Sequence, residues 1–171
     1  MRVLLPFVLL FASFAVLGQA NKKVKIYAYE QQVLPGVRKI TLDESGKEKE
    51  VPPKNILHYF IFMEAPASKK VEAKHLWIRG KLYSINIEKP ALPVVVNNLT
   101  YPTKKADTLV RQRLDPVVQL VPATATDNFA ATYSVKKKMK KNAIVLHTVE
   151  NGKDCYYYLE GIKRLDPVAM Q

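Results

Sequence analysis

The dipeptide Asn151-Gly152 constrains this chain more than any other feature of the sequence. It stands between two runs of β-branched and aromatic residues, within the stretch 142–160. Asn and Gly tolerate the positive φ angles that both central residues of a type I′ turn require. The sequence therefore predicts a β-hairpin with a two-residue turn at this point.

A two-residue turn also fixes which residues of the two strands face each other. The predicted pairs are Glu150 with Lys153, Thr148 with Cys155, His147 with Tyr156, Leu146 with Tyr157, Val145 with Tyr158 and Ile144 with Leu159. Side chains alternate between the two faces of a strand, so these pairs separate into two sets. The predicted core face carries Ile144, Leu146, Thr148, Cys155, Tyr157 and Leu159. The second face carries Val145, His147, Val149, Asp154, Tyr156 and Tyr158.

Residues 1–20 are typical of a cleaved signal peptide. Arg2 supplies a positive charge, the run 4–17 is apolar, and Gly18-Gln19-Ala20 predicts cleavage after Ala20. An uncleaved anchor or a buried strand is the alternative. No Cys follows the apolar run, so a lipid anchor at this end is not expected. We therefore predict that residues 21–171 form a single exported domain without a transmembrane helix.

The cysteine content and the charge narrow the compartment and the partners. Cys155 is the one cysteine of the sequence, so an intrachain disulfide is impossible. An exported chain without disulfides is more typical of a bacterial periplasm or cell surface than of animal secretions. We expect Cys155 to be a small core residue and not a nucleophile. The net charge of +12 favours anionic lipids and acidic glycans as partners before nucleic acid.

The remaining chain predicts more short strands and no long helix. Strands are predicted over 24–31, 37–42, 56–63, 93–96, 117–121 and 129–135. The polar stretches 43–55 and 101–113 are predicted as loops, and Pro122 is predicted to end a strand. For 129–135, a helix capped by Asp127 is the alternative to a strand. The pattern predicts an all-β fold, an antiparallel β-sandwich, immunoglobulin-like or related, of about nine or ten strands.

A second hairpin is predicted over 71–88, with its turn at Gly80. A Gly80-Lys81 turn would collect the apolar residues on one face, whereas an Arg79-Gly80 turn would mix polar and apolar residues on both. Burial of a single face favours the first register. In that register Trp77 lies on the opposite face, where we expect another part of the chain to cover it.

No catalytic, metal or cofactor motif is recognisable in the sequence. His58, His75 and His147 lack the closely spaced partners of a zinc site. Glu30, Glu64 and Glu88 could form catalytic carboxylate pairs between distant strands, but no pattern selects them. We therefore expect a protein that is not an enzyme and needs no cofactor, and a hydrolase with dispersed catalytic residues is the least favoured alternative.

A concentrated cluster of lysines is the main functional candidate. Its members are Lys136, Lys137, Lys138, Lys140 and Lys141. With His147, Tyr156 and Tyr158 on the second face of the hairpin, it would bind an anionic lipid or glycan. A solvated loop that protects a sheet edge is the interpretation that the charge run by itself favours, because such a run carries no ligand specificity. The leading hypothesis is an exported non-enzymatic protein with a binding or envelope-assembly role, its partner an envelope protein or an anionic surface.

Overall fold

A computed structural model describes residues 23–34, 39–42, 44–51, 56–96, 106–126 and 131–169. The predicted signal peptide at 1–20 and Asp127 lie outside these ranges. The described residues form thirteen strands and one short helix. These are β1 Lys25–Leu34, β2 Lys39–Leu42, β3 Glu48–Val51, β4 Ile56–Glu64, β5 Val71–Ile78, β6 Lys81–Glu88, β7 Val94–Val96, β8 Asp107–Val110, β9 Val117–Thr126, α1 Tyr133–Met139, β10 Ile144–Glu150, β11 Lys153–Leu159, β12 Lys163–Arg164 and β13 Val168–Ala169.

Most of the strands belong to one sheet, in the order β11-β10-β5-β6-β9-β4-β1-β12. β13 also pairs with β1. Every pair in this sheet is antiparallel except those that β12 and β13 make with β1. Two small sheets, β2-β3 and β7-β8, complete the architecture of the described residues. The predicted all-β class is confirmed.

The main sheet curls around an apolar inner face. Buried side chains from β1, β4, β5, β9 and β10 form one cluster on this face. They are Val24, Ala28, Ile61, Met63, Leu76, Ile78, Leu120, Ile144 and Leu146. Because residues from distant strands share this core, the curl buries side chains that a flat sheet would expose to water.

The outer face of the sheet is covered in two separate places. Over β1 and β4, the β7-β8 sheet and the segment around Leu165 enclose Phe62. Over β5 and β10, residues 131–139 pack on Trp77 and Val145 through Ala131 and Val135. Strands that are buried on both faces can carry consecutive apolar residues, and this explains the sequence of β4 and the first half of β10.

The predicted β10-β11 hairpin is confirmed in turn and in register. All six predicted pairs are present, and Asn151 and Gly152 have φ angles of 49° and 83°. The predicted core face is the inner face, where Leu146 is fully buried and Tyr157 packs against the core. Tyr156, on the second face, is 37% exposed.

The predicted register of the β5-β6 hairpin is wrong. Arg79 and Gly80, at φ 49° and 80°, form the turn, and Leu76 therefore pairs with Tyr83. The prediction assumed that only one face is buried. Instead Trp77 and its partner Leu82 are covered by the helical segment on the outer face, so apolar residues on both faces carry no penalty. Trp77 is 3% exposed, and its predicted cover is confirmed, although that cover is largely helical.

The predicted strand over 129–135 is also wrong within the described residues. Tyr133–Met139 form helix α1, and the hydroxyl of Thr132 caps it by accepting a hydrogen bond from the backbone N–H of Val135 at 3.5 Å. Val135 and Met139, four residues apart, face the sheet, which is the spacing of one helix face. Part of the lysine cluster is therefore helical and not a loop.

Three further expectations are corrected, two by short strands and one by the length of β9. β3 lies in the predicted loop 43–55 and pairs with β2, and β8 lies in the predicted loop 101–113 and pairs with β7. β9 continues past Pro122 to Thr126. The β6-β9 ladder shifts register beside Pro122, and there the hydroxyl of Ser84 accepts a hydrogen bond from the backbone N–H of Thr124 at 3.1 Å. This irregularity accommodates a residue that has no N–H to donate.

Candidate functional site

The second face of the β10-β11 hairpin lies on the outside of the main sheet, beside α1. We call it the outer hairpin surface and define it by Lys138, His147, Tyr156 and Tyr158, with His75 and Asp154 adjoining. β5 runs along the other side of β10 and brings His75 opposite His147. The site therefore combines residues from three strands and one helix.

His75 and His147 meet through their Nδ1 atoms, which are 2.9 Å apart. The rings are tilted by only 8° and their centroids are 5.2 Å apart. Since the centroids are much further apart than the two nitrogens, the rings meet edge to edge and not face to face. This is the geometry of a direct N–H···N hydrogen bond, in which one Nδ1 donates and the other accepts.

Asp154 determines the direction of that hydrogen bond. Its Oδ1 lies 2.8 Å from Nε2 of His147, and a carboxylate only accepts, so His147 Nε2 carries a hydrogen. In a neutral His147 the Nδ1 is then the acceptor, and His75 Nδ1 donates to it. Two hydrogen bonds therefore run in one direction, from His75 to His147 and from His147 to Asp154.

The two exposed tyrosines lie beside the histidine pair on the same surface. The Tyr156 ring stacks on His147, with centroids 4.7 Å apart and planes 11° from parallel. Tyr158 lies two residues further along β11 on the same face, and Lys138 Nζ stands 5.2 Å from the centre of its ring. Such a position above the ring face is attractive for a cation.

The lysine cluster is exposed throughout, as predicted. Lys136, Lys137 and Lys138 belong to α1, and Lys140 and Lys141 follow it directly. Lys138 brings the cluster into contact with Tyr158, so the structure joins the lysines to the tyrosines of the second face. Together these side chains form a basic surface with two flat rings.

The surroundings shift the pKa of His75 and Tyr158 in opposite directions. Burial lowers the pKa of His75, and the nearby charges of His147 and Lys74 lower it further. Burial also raises the pKa of Tyr158, with a smaller contribution from Tyr156. Both shifts favour the neutral form of the side chain concerned.

Two of the three carboxylates considered for catalysis have structural partners. Glu30 is contacted by Arg79 at 2.7 Å and by Arg164 at 3.2 Å. Glu64 accepts a hydrogen bond of 2.5 Å from the hydroxyl of Tyr27. Glu88 is exposed on β6. None of these contacts joins two of the three acids.

The two cavities and the Cys155 thiol are less suited to a functional site than the outer hairpin surface. Two cavities of about 200 Å³ and 350 Å³ have no acidic residue in their linings. Burial, and then Glu150, raises the pKa of the Cys155 thiol, which favours the less nucleophilic form. Across the described ranges, no group of three or more His, Cys, Asp or Glu side chains could hold a metal ion.

The sequence pattern predicted His147 beside Tyr156 but not the contributions of His75 and Asp154 to the site. His75 is 72 positions from His147 in the chain, and only the pairing of β5 with β10 brings them together. Asp154 was already assigned to the second face. It lies two residues from Tyr156, the strand partner of His147, on the same face, and this spacing was the signal that could have identified it.

Comparisons with known proteins add no assignment, since no family, curated protein or solved structure matches the chain. Among the residues that the structure describes, no helix has the length and apolar character needed to cross a membrane.

Proposed function

We propose that this protein is an exported, non-enzymatic binding protein whose outer hairpin surface binds an acidic glycan. One observation carries the proposal, namely the continuous row from Lys138 over Tyr158 to Tyr156 stacked on His147. It combines a positive charge with two tyrosines, Tyr156 and Tyr158, that are 37% and 38% exposed.

The chemistry of this row fits a charged sugar chain. A sugar ring presents a flat C–H face that can lie on an aromatic ring, and burying that contact removes apolar surface from water. A carboxylate or sulfate on the same sugar would meet Lys138 and its neighbours. The net charge of +12 adds a general attraction for polyanions.

A glycan fits this surface better than a lipid bilayer does. The two exposed hairpin tyrosines lie two residues apart on one narrow strand, whereas a membrane anchor needs a wide apolar face that can enter the acyl layer. Binding to an anionic lipid surface is the alternative that the experiment below also measures.

Two finer features belong to the same proposal. The first is a sandwich-like arrangement, in which the β1-β4 end and the β5-β10 end of the curled sheet face each other across the shared core. The second is export to a bacterial periplasm or cell surface, which the sequence of residues 1–20 supports. Sequencing the mature N-terminus should find Asn21 or a residue close to it, and an intact Met1 on soluble cytoplasmic protein would contradict export.

Binding can be measured with dextran sulfate, with uncharged dextran as the ligand control. The test variant replaces Lys136, Lys137, Lys138, Lys140 and Lys141 with Gln. The matched charge control replaces Lys23, Lys47, Lys70, Lys81 and Lys89 with Gln, and these five lysines are also exposed. Exposed charges act only over about 8 Å at physiological ionic strength, so the position of the lysines should matter as well as their number.

We expect the test variant to bind dextran sulfate at least about tenfold more weakly than wild type, a loss of about 1.4 kcal/mol. The charge control should lose much less, and the double substitution Tyr156→Ser with Tyr158→Ser should also weaken binding. Equal affinity of the two lysine variants would contradict a site at the cluster. Binding to anionic vesicles but not to dextran sulfate would assign the surface to lipid instead.

A further inference from the structure

We propose that the outer hairpin surface takes up its anionic ligand together with a proton, which the His75–His147 pair carries. This inference rests on the proposed function and adds the regulation of the same site. It follows from the edge-to-edge contact of the two imidazoles and from the stacking of Tyr156 on His147.

The pair can accept one proton without moving but not two. In the neutral pair, Nδ1–H of His75 donates to Nδ1 of His147, and Nε2–H of His147 donates to Asp154. Adding one proton at Nε2 of His75 leaves both hydrogen bonds intact. A second proton would have to enter at Nδ1 of His147, where two N–H groups would then face each other at 2.9 Å. The doubly charged pair must therefore separate.

In the free protein, the cationic groups around the pair oppose the first proton. From β5, Lys74 lies close to His75 but is itself paired with Glu72 at 2.5 Å. From β11, Asp154 is the acidic group in contact, with Tyr156 and Tyr158 on the same face. Helix α1 contributes Lys138. On the other side of β5, Trp77 pairs with the apolar Leu82 of β6. Of the described charged groups named here, Lys74 and Lys138 are cationic, and Asp154 and the paired Glu72 are acidic.

A bound anion changes this balance. A carboxylate or sulfate near Lys138 and Tyr156 offsets the positive charges and favours the protonated pair. A ligand lying on Tyr156 is separated from His147 by a single ring, because those two rings stack at 4.7 Å. Linkage is reciprocal, so if the anion promotes proton uptake, a lower pH must tighten anion binding.

Calorimetry of dextran sulfate binding in buffers with different ionisation enthalpies counts the protons taken up. For wild type at pH 6.5 we expect a clear uptake of at most one proton per site, and an affinity that rises several-fold between pH 7.5 and pH 6. His58→Gln, at an exposed position on β4, is the matched histidine control and should retain the uptake. The double substitution His75→Gln with His147→Gln should abolish it.

A second measurement covers the case in which the double variant fails to fold. NMR titration of the wild-type imidazoles should show proton binding to the pair shifting to higher pH when dextran sulfate is present. Binding without proton uptake, or uptake that persists in the double variant, would overturn this inference and leave the proposed function standing. Failure to bind dextran sulfate at any pH would overturn the proposed function as well.

Discussion

The carboxylate of Glu30 lies 2.7 Å from the guanidinium of Arg79, although three strands separate β1 from β5 in the sheet. Glu30 is on the inner side of β1 and is only 2% exposed, and Arg79 belongs to the β5-β6 turn. The contact therefore joins two distant parts of the same sheet across its curl. Arg164 completes the neutralisation of Glu30 at 3.2 Å.

Arg79→Ala should lower the free energy of unfolding by about 1–3 kcal/mol, because the buried Glu30 would lose its closer cation. Chemical denaturation measures this loss. Arg111→Ala, at an exposed position, is the control and should cost less than about 0.5 kcal/mol. Combining Arg79→Ala with Glu30→Gln should cost less than the sum of the two single losses, since the pair is coupled. Simple additivity would show that the contact does not stabilise the curl.

The two faces of the β10-β11 hairpin should differ in their contribution to stability. Leu146 is fully buried on the inner face, so Leu146→Ala should cost about 2–5 kcal/mol. Tyr156→Ala removes a side chain that is 37% exposed and should cost clearly less. A urea denaturation series compares the two variants. A larger loss for the tyrosine would mean that the hairpin presents the opposite face to the core.

Gly152→Val should destabilise the protein through the backbone alone. Gly152 has a φ of +83°, and a Cβ atom added there would meet no atom within 4 Å. The expected loss is at least about 1 kcal/mol, the cost of placing a side chain in the left-handed region. Gly161 also has open space but not a left-handed φ, so Gly161→Val is the matched control. Thermal melts that change equally in both variants would argue against a type I′ turn.

Protonation of His75 should lower the free energy of unfolding as the pH is decreased. Burial, then the charges of His147 and Lys74, lowers its pKa in the folded protein, while the unfolded imidazole titrates near about 6.5. Below that pH the unfolded chain binds the proton first. As the pH falls from about 6.5 to the pKa of His75 in the folded protein, the free energy of unfolding therefore decreases progressively.

His75→Gln should flatten this acid loss, and His58→Gln should not. Denaturation midpoints measured between pH 5 and pH 8 test the comparison. An acid loss in His75→Gln as steep as in wild type would assign the pH dependence to other groups.

Local signals predicted the part of the fold that local geometry determines. The positive φ angles of Asn151 and Gly152 fix the turn, and the turn fixes every pair of the hairpin. The β5-β6 register could not be chosen in the same way, because the correct choice depends on the cover of Trp77 by a segment about 55 positions further along the chain. Helix α1 was missed because seven residues are too few to establish a helical period against a strand pattern.

The candidate site was predictable only where its residues lie close together in the sequence. His147, Tyr156, Tyr158 and the lysines were identified because one hairpin and its leading segment contain them. The partnership with His75 depends on pairing between β5 and β10, and no local pattern encodes that pairing. Long-range strand pairing is determined by the burial of the whole core, which single-sequence patterns do not reveal.

The unequal burial of β10 and β11 has a consequence for engineering. Ile144, Val145 and Leu146 have no exposed surface on either side of the sheet, so β10 anchors the hairpin from both faces. The exposed rings of Tyr156 and Tyr158 are carried by β11, which forms one end of the main sheet. New side chains at these two positions can therefore change the proposed binding surface while the anchoring strand keeps its native sequence.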